Sequence, residues 1–110
     1  DHLYRTIGQP VMVPGTNRTS SYMVVARDGA AHSLYSVDHG AGRTVSRFEE
    51  AGLLSRLTDR VTRKYDYSSH GPQILPHLSD EAVEEVMSVA AAGGIAAPAA
   101  RLRPVAVLKA

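Results

Sequence analysis

The sequence predicts an α+β fold formed as a single domain over residues 1–110. Three observations carry that expectation. The length suffices for one domain with a modest core and not for two. Short apolar, strand-like runs stand at residues 11–13 and 21–26. Residues 79–94 then carry the signature of a helix: a Ser79 N-cap, acidic side chains in the first turns, and a Gly93-Gly94 stop.

Each element follows in order. After Pro10, the run Val11-Met12-Val13-Pro14-Gly15 reads as a short buried strand ending in a Pro-Gly turn. Residues 16–20, Thr-Asn-Arg-Thr-Ser, are turn chemistry, because hydroxyl and amide side chains bond locally to the backbone. Ser21 to Ala26 is the next strand, and Arg27-Asp28-Gly29-Ala30 suggests a hairpin link to a third strand over residues 32–37. A glycine turn at residues 39–42 leads into a helix over residues 43–54, with Val45, Phe48 and Ala51 on one face. Residues 54–64 are ambiguous. Leu54, Leu57 and Val61 have helical spacing, while Arg56, Arg60, Arg63 and Lys64 lie elsewhere on the wheel. Residues 65–76 are a loop by composition, and the alanine-rich stretch 90–100 reads as a helix end plus linker. Residues 101–109 close the chain as a strand with Pro104 near its start, where a missing N–H is tolerated.

Composition excludes several classes. A formal charge of +1 is not the footprint of a nonspecific nucleic-acid binder, although local basic patches stay open. With no cysteine, neither a disulfide framework nor a thiolate metal site can form. No apolar run reaches the roughly 18 residues a membrane span needs, so no membrane partner is expected. The chain opens at Asp1 without a methionine or a targeting signature, which suggests a piece of a longer product.

The candidate chemistry centres on His39-Gly40-Ala41-Gly42-Arg43. Glycines let a backbone pass close to a ligand, and the N–H groups entering a helix attract phosphate. Arg43 could pair bidentately with phosphate oxygens, and Arg47 lies one helical turn further on the same face. A histidine there can act as nucleophile, acid/base or metal ligand. On residue chemistry alone, a plain structural turn and a phosphate site remain equal alternatives. The Pro14–Tyr22 stretch could line a polar pocket or be only a turn. His2, His32, His70 and His77 show no metal-ligand spacing.

Three ordered blocks narrow the choice: residues 8–25 (GQPVMVPGTNRTSSYMVV), 36–47 (SVDHGAGRTVSR) and 101–109 (RLRPVAVLK). Together they resemble the C-terminal part of the RtcB family, GTP- and manganese-dependent RNA ligases. Such enzymes join RNA 3′-phosphate or 2′,3′-cyclic phosphate ends to 5′-hydroxyl ends. The resemblance implies that His39 is the nucleophile that takes GMP from GTP. It implies nucleotide contacts from Pro14, Gly15, Thr16, Asn17 and Ser21, from Gly40, Ala41 and Gly42, and from Lys109 on guanine. Arg43 and Arg47 would meet phosphate of nucleotide or RNA.

The resemblance further implies a cytoplasmic enzyme whose partners are such RNA ends, GTP and the remainder of the ligase chain. The family's manganese ligands lie upstream of the matched region, so none is expected here, and the isolated chain is expected to be inactive. A noncatalytic nucleotide- or RNA-binding remnant is the alternative. Thr16 stands where the family usually has serine, and Asn17-Arg18 and Ala110 also depart from its pattern. The family's guanine-stacking tyrosine is not recognisable, and by position His77 is the candidate to replace it.

Overall fold

In the computed structural model the described residues are 7–33, 40–58, 60–66 and 71–109, with the side chain of Lys109 excluded. They form six strands in two three-stranded sheets, two α-helices and a short 3-10 helix. The chain is thus mixed α/β, as expected from sequence, but with more strand.

The first sheet has the order β1 (Pro10–Val13), β2 (Ser21–Ala26), β5 (Ala96–Leu102), all antiparallel. The strand expected over residues 32–37 begins instead as 3-10 helix, Asp28–Ser33, and residues 34–37 lie outside the described set. The reason is visible in the sheet. β2 already has β1 on one edge and β5 on the other, so a hairpin partner after residue 30 would find no open ladder. β5 corrects the linker expected over residues 90–100. Its register with β2 shifts between Met23 and Val24, where Pro98 and Ala100 flank an extra residue. A bulge on an edge strand is where a proline is tolerated.

Helix α1 (Ala41–Glu50) starts two residues earlier and ends sooner than the sequence suggested. Gly52, at φ +70°, ends it: its N–H bonds the Glu49 carbonyl while the Leu53 N–H bonds that of Phe48. Ala51 is therefore a cap residue exposed to solvent and not part of a buried face. Helix α2 (Glu81–Ala92) closes in the same way at Gly94, φ +65°, with Asp80 rather than Ser79 at its N-cap.

Val13 and Val24 from the sheet, Ala41 and Val45 from α1, Leu78, Ala82, Val83 and Met87 around α2, and Ala96 from β5 form one core. Tyr22, Phe48 and Leu54 pack around its rim. Each buried Val, Leu or Met side chain contributes roughly 1.5–3 kcal/mol over an exposed one, so this cluster holds α1 and α2 to the sheet.

The second sheet, β4 (Gln73–Pro76), β3 (Val61–Asp66), β6 (Ala106–Lys109), occupies segments read from sequence as loop, as ambiguous running into loop, and as strand, in that order. β3 pairs antiparallel with β4 and parallel with β6. The helical spacing of Leu54, Leu57 and Val61 marks no buried face: Leu57 and Val61 are exposed. Nor are residues 101–109 one strand. β5 ends at Leu102 and β6 begins at Ala106, with Arg103-Pro104-Val105 turning the chain between sheets. Thr62, fully buried, and the Arg63 N–H reach the carbonyls of Pro104 and Val105 and tie that turn down.

Candidate functional site

Two sequence blocks 25 or so residues apart, a separation that a compact domain closes routinely, meet at one edge of the first sheet. After β1, Pro14 to Ser20 form a compact turn held by its own side chains. The Gly15 N–H donates to Ser21 Oγ at 3.0 Å and the Thr16 N–H to Thr19 Oγ1 at 2.9 Å. The Thr16 and Thr19 hydroxyls share a further bond at 3.0 Å, and the Arg18 N–H donates to Thr16 Oγ1 at 3.2 Å. The hydroxyl of Thr16 is thus a hub of the turn. Gly15 is required by close approach: a Cβ there would collide with the Ser20 carbonyl oxygen and lie 2.7 Å from Thr19 Oγ1.

The first turn of α1 sits against this loop. A Cβ on Gly42 would be 3.4 Å from the Gly15 carbonyl oxygen and 3.9 Å from Thr16 Cγ2. Gly40, the N-cap, has no side chain with which to cap the helix, and no side-chain cap bond is made. The first turn of α1 thus lies beside the Thr16 turn, and the N–H groups that open a helix are the kind of donor that attracts phosphate oxygens. Ala41 is buried in the core and fixes the angle at which the helix enters. Arg43 and Arg47 are exposed on the same helix.

A polar clamp holds the loop from behind. Asp80 accepts the Ser20 N–H at Oδ1 and the Ser20 hydroxyl at Oδ2, both at 2.8 Å. It also accepts His77 Nε2 at 3.2 Å, and Arg101 Nη1 lies 3.7 Å away. The Leu78 N–H donates to the Arg18 carbonyl at 2.7 Å. Burial alone would push the Asp80 carboxyl up, but the two Ser20 bonds, His77 and Arg101 together hold it below the ordinary carboxylate value. Arg101 also approaches Glu84 at 3.6 Å, and burial followed by the Glu84 charge raises the neighbouring Tyr22 phenol. On the solvent side, Arg18 bridges to Glu49 of α1 at 3.0 Å.

The structure therefore brings together Pro14, Gly15, Thr16, Asn17, Ser21, Gly40, Ala41 and Gly42. His39, next to them in sequence, lies outside the described residues. Lys109 ends β6 in register with Asp66 of β3, and its side chain is outside the described set. The stacking role for His77 is overturned: its ring is 2% exposed and bonded to Asp80, so it offers no open face to a base. Among the described residues no three His, Cys, Asp or Glu side chains lie together as a metal would require. No helix among them is long and apolar enough to cross a membrane. Sequence reasoning named Thr19 and Ser20 only as turn residues and missed Asp80. The available signal was an aspartate at a helix N-cap position whose partner stands 60 residues upstream.

Comparison with known proteins bears on what this arrangement serves. The sequence profile described as tRNA-splicing ligase RtcB matches residues 1–110. A tRNA-splicing ligase RtcB of Pyrococcus furiosus is 34% identical over 116 aligned positions, covering 97% of this chain and 12% of that protein. Those of Aeropyrum pernix and Nanoarchaeum equitans are 31% and 36% identical, covering 96% of this chain and 23% and 24% of theirs. The chain thus spans at most about a quarter of the length of these curated relatives. No solved structure gives a significant match.

Proposed function

The chain belongs to the tRNA-splicing ligase RtcB family, and on that premise we propose that it is the C-terminal, nucleotide-receiving part of a GTP-dependent RNA ligase. The observation that carries the reading is the contact between the Gly15-Thr16 loop and the Gly40–Gly42 entry to α1. It unites two of the three blocks on which the resemblance places nucleotide contacts, and it sets the first turn of α1 beside a hydroxyl-rich turn.

In the proposed reaction His39 attacks the α-phosphate of GTP. An N–P bond forms, the bond from the α-phosphorus to the bridging oxygen breaks, and pyrophosphate leaves. A neutral imidazole is a competent nucleophile near pH 7 and a good leaving group once protonated. An oxygen of the RNA 3′-phosphate then displaces the histidine from GMP. Finally the 5′-hydroxyl attacks the activated 3′-phosphate, releasing GMP and sealing the strand. Gly40, Ala41 and Gly42 give the nucleotide room and backbone donors, Arg43 and Arg47 offer exposed positive charge to phosphate, and Lys109 contacts guanine.

Manganese in this family supplies Lewis-acid polarisation of phosphate oxygens. The described residues hold no cluster that fits it. The resemblance puts its ligands in the remainder of the ligase, and no step above is routed through them.

The test joins this chain to the rest of a family ligase and supplies radiolabelled GTP, manganese and RNA with 3′-phosphate and 5′-hydroxyl ends. Protein-bound label and joined RNA are expected, both lost in His39→Ala. Nucleotide or RNA binding without covalent label would instead identify a noncatalytic remnant.

A further inference from the structure

One carboxylate with little exposure and several hydrogen bonds is not used by the proposed chemistry. Asp80 occupies the N-cap of α2, where an aspartate ordinarily accepts an N–H of its own helix. Here no side-chain cap bond forms. Both carboxylate oxygens turn instead to Ser20, at 2.8 Å each, across 60 residues of sequence. Ser20 is fully buried, as is Thr19 before it, and Thr19 Oγ1 in turn holds Thr16 by its N–H and its hydroxyl. The Ser20 carbonyl is also the group against which Gly15 packs, and Gly15 carries the carbonyl that meets Gly42. From Asp80 two hydrogen bonds reach Ser20, and the close approach of Gly15 to the Ser20 carbonyl and of Gly42 to the Gly15 carbonyl carries the connection on to the entry of α1.

We infer that Asp80 is a positioning residue: through Ser20 it fixes the height and tilt of the 14–17 loop against the first turn of α1, and so sets how tightly the site accepts the nucleotide. The inference rests on the nucleotide-receiving role proposed above. Two features separate it from ordinary packing. The carboxylate forgoes its own helix to reach the loop, and the same segment grips the loop a second time through Leu78 N–H and the Arg18 carbonyl. His77 and Arg101 hold the carboxylate from the remaining sides, while Glu84 and Tyr22 are the other titratable groups nearby. Asp80 therefore stays a charged acceptor aimed at Ser20, and charged hydrogen bonds are the stronger kind.

The experiment uses the restored ligase and follows formation of the GMP-protein adduct as GTP concentration varies. Three variants are compared: Asp80→Asn, Ser20→Ala, and Met87→Ala as a core deletion two helical turns from Asp80. Asp80→Asn loses the charge and one acceptor, and Ser20→Ala loses only the Oγ bond, so at least one of the two is expected to fold. Both should raise the KM for GTP, Asp80→Asn roughly tenfold and Ser20→Ala about threefold, as loss of one or two hydrogen bonds implies. Transfer of GMP from preformed adduct to RNA should change less than the KM. Met87→Ala should lower the melting midpoint at least as much yet leave the KM for GTP unaltered. A KM that tracks the melting midpoint across all three, or stays unaltered in Asp80→Asn and Ser20→Ala, overturns the inference while the parent ligase still labels. Absence of label in the parent ligase would instead overturn the nucleotide-receiving role.

Discussion

Two glycines of the site should respond in opposite directions to the same added methyl group. At Gly15 the methyl would collide with the Ser20 carbonyl oxygen and lie 2.7 Å from Thr19 Oγ1 and 3.2 Å from the Ser20 carbonyl carbon. Neither neighbour can yield cheaply: both residues are fully buried, and Ser20 is bonded twice to Asp80. Overpacking of this kind costs about 1–3 kcal/mol, against a gain of roughly 0.4–1 kcal/mol from restricting the unfolded chain. Gly15→Ala should therefore destabilise by about 1–2 kcal/mol net, which at roughly 4–8 °C per kcal/mol is a fall of about 5–15 °C in the melting midpoint. At Gly42 the nearest atom would be the Gly15 carbonyl oxygen at 3.4 Å, the edge of ordinary contact. That position lies in the first turn of α1, where alanine exceeds glycine by at most the roughly 0.5–1 kcal/mol of a helix interior. Gly42→Ala should leave the midpoint unchanged or raise it. Thermal unfolding followed by circular dichroism reads both. Gly15→Ala melting with the parent protein, or Gly42→Ala falling as far as Gly15→Ala, would refute the close approach on which the site is built.

Three further outcomes follow from the same structure. Asp80 titrates below its ordinary value in the folded protein, so its contribution is complete above about pH 4, where the unfolded carboxyl is also ionised. That contribution disappears as pH falls through the folded value, and a melting series in acid should show Asp80→Asn losing less stability than the parent protein. Arg18→Ala breaks a bridge whose partners are one-third and one-half exposed, and should cost no more than about 0.5 kcal/mol in denaturant unfolding. Gly94→Ala puts a Cβ into a left-handed conformation with open space around it, so strain alone acts: about 1–2 kcal/mol, and less for Gly94→Asn.

What sequence made legible follows from where local chemistry and tertiary structure agree. Ser21–Ala26 carries β-branched and aromatic side chains and forms β2 with the expected bounds. Gly93-Gly94 stops α2 because only the second glycine needs the left-handed region. β5 is the opposite case. Alanine and proline have little strand preference, and Ala96–Leu102 is extended because β2 offers it an open edge. Residues 54–64 stay ambiguous in the sequence because Leu54, Leu57 and Val61 have a helical spacing that marks no buried face, Leu57 and Val61 being exposed. Both halves of the proposed nucleotide site, residues 14–17 and 40–42, are legible in the sequence as separate blocks. That they touch, and that Asp80 holds one of them, depends on contacts across many residues that no local pattern encodes.

The central claim is that His39 accepts GMP at the junction of these two blocks. Trypsin cutting after Arg27 and Arg43 releases residues 28–43, which contain both His32 and His39. The restored ligase, incubated with GTP and manganese and digested under alkaline conditions that preserve a phosphoramidate, should yield this peptide carrying GMP. Fragment masses should assign the adduct to His39 in the parent ligase, and the adduct should vanish in His39→Ala. GMP on His32, on a residue outside this peptide, or still present after His39→Ala would contradict the account.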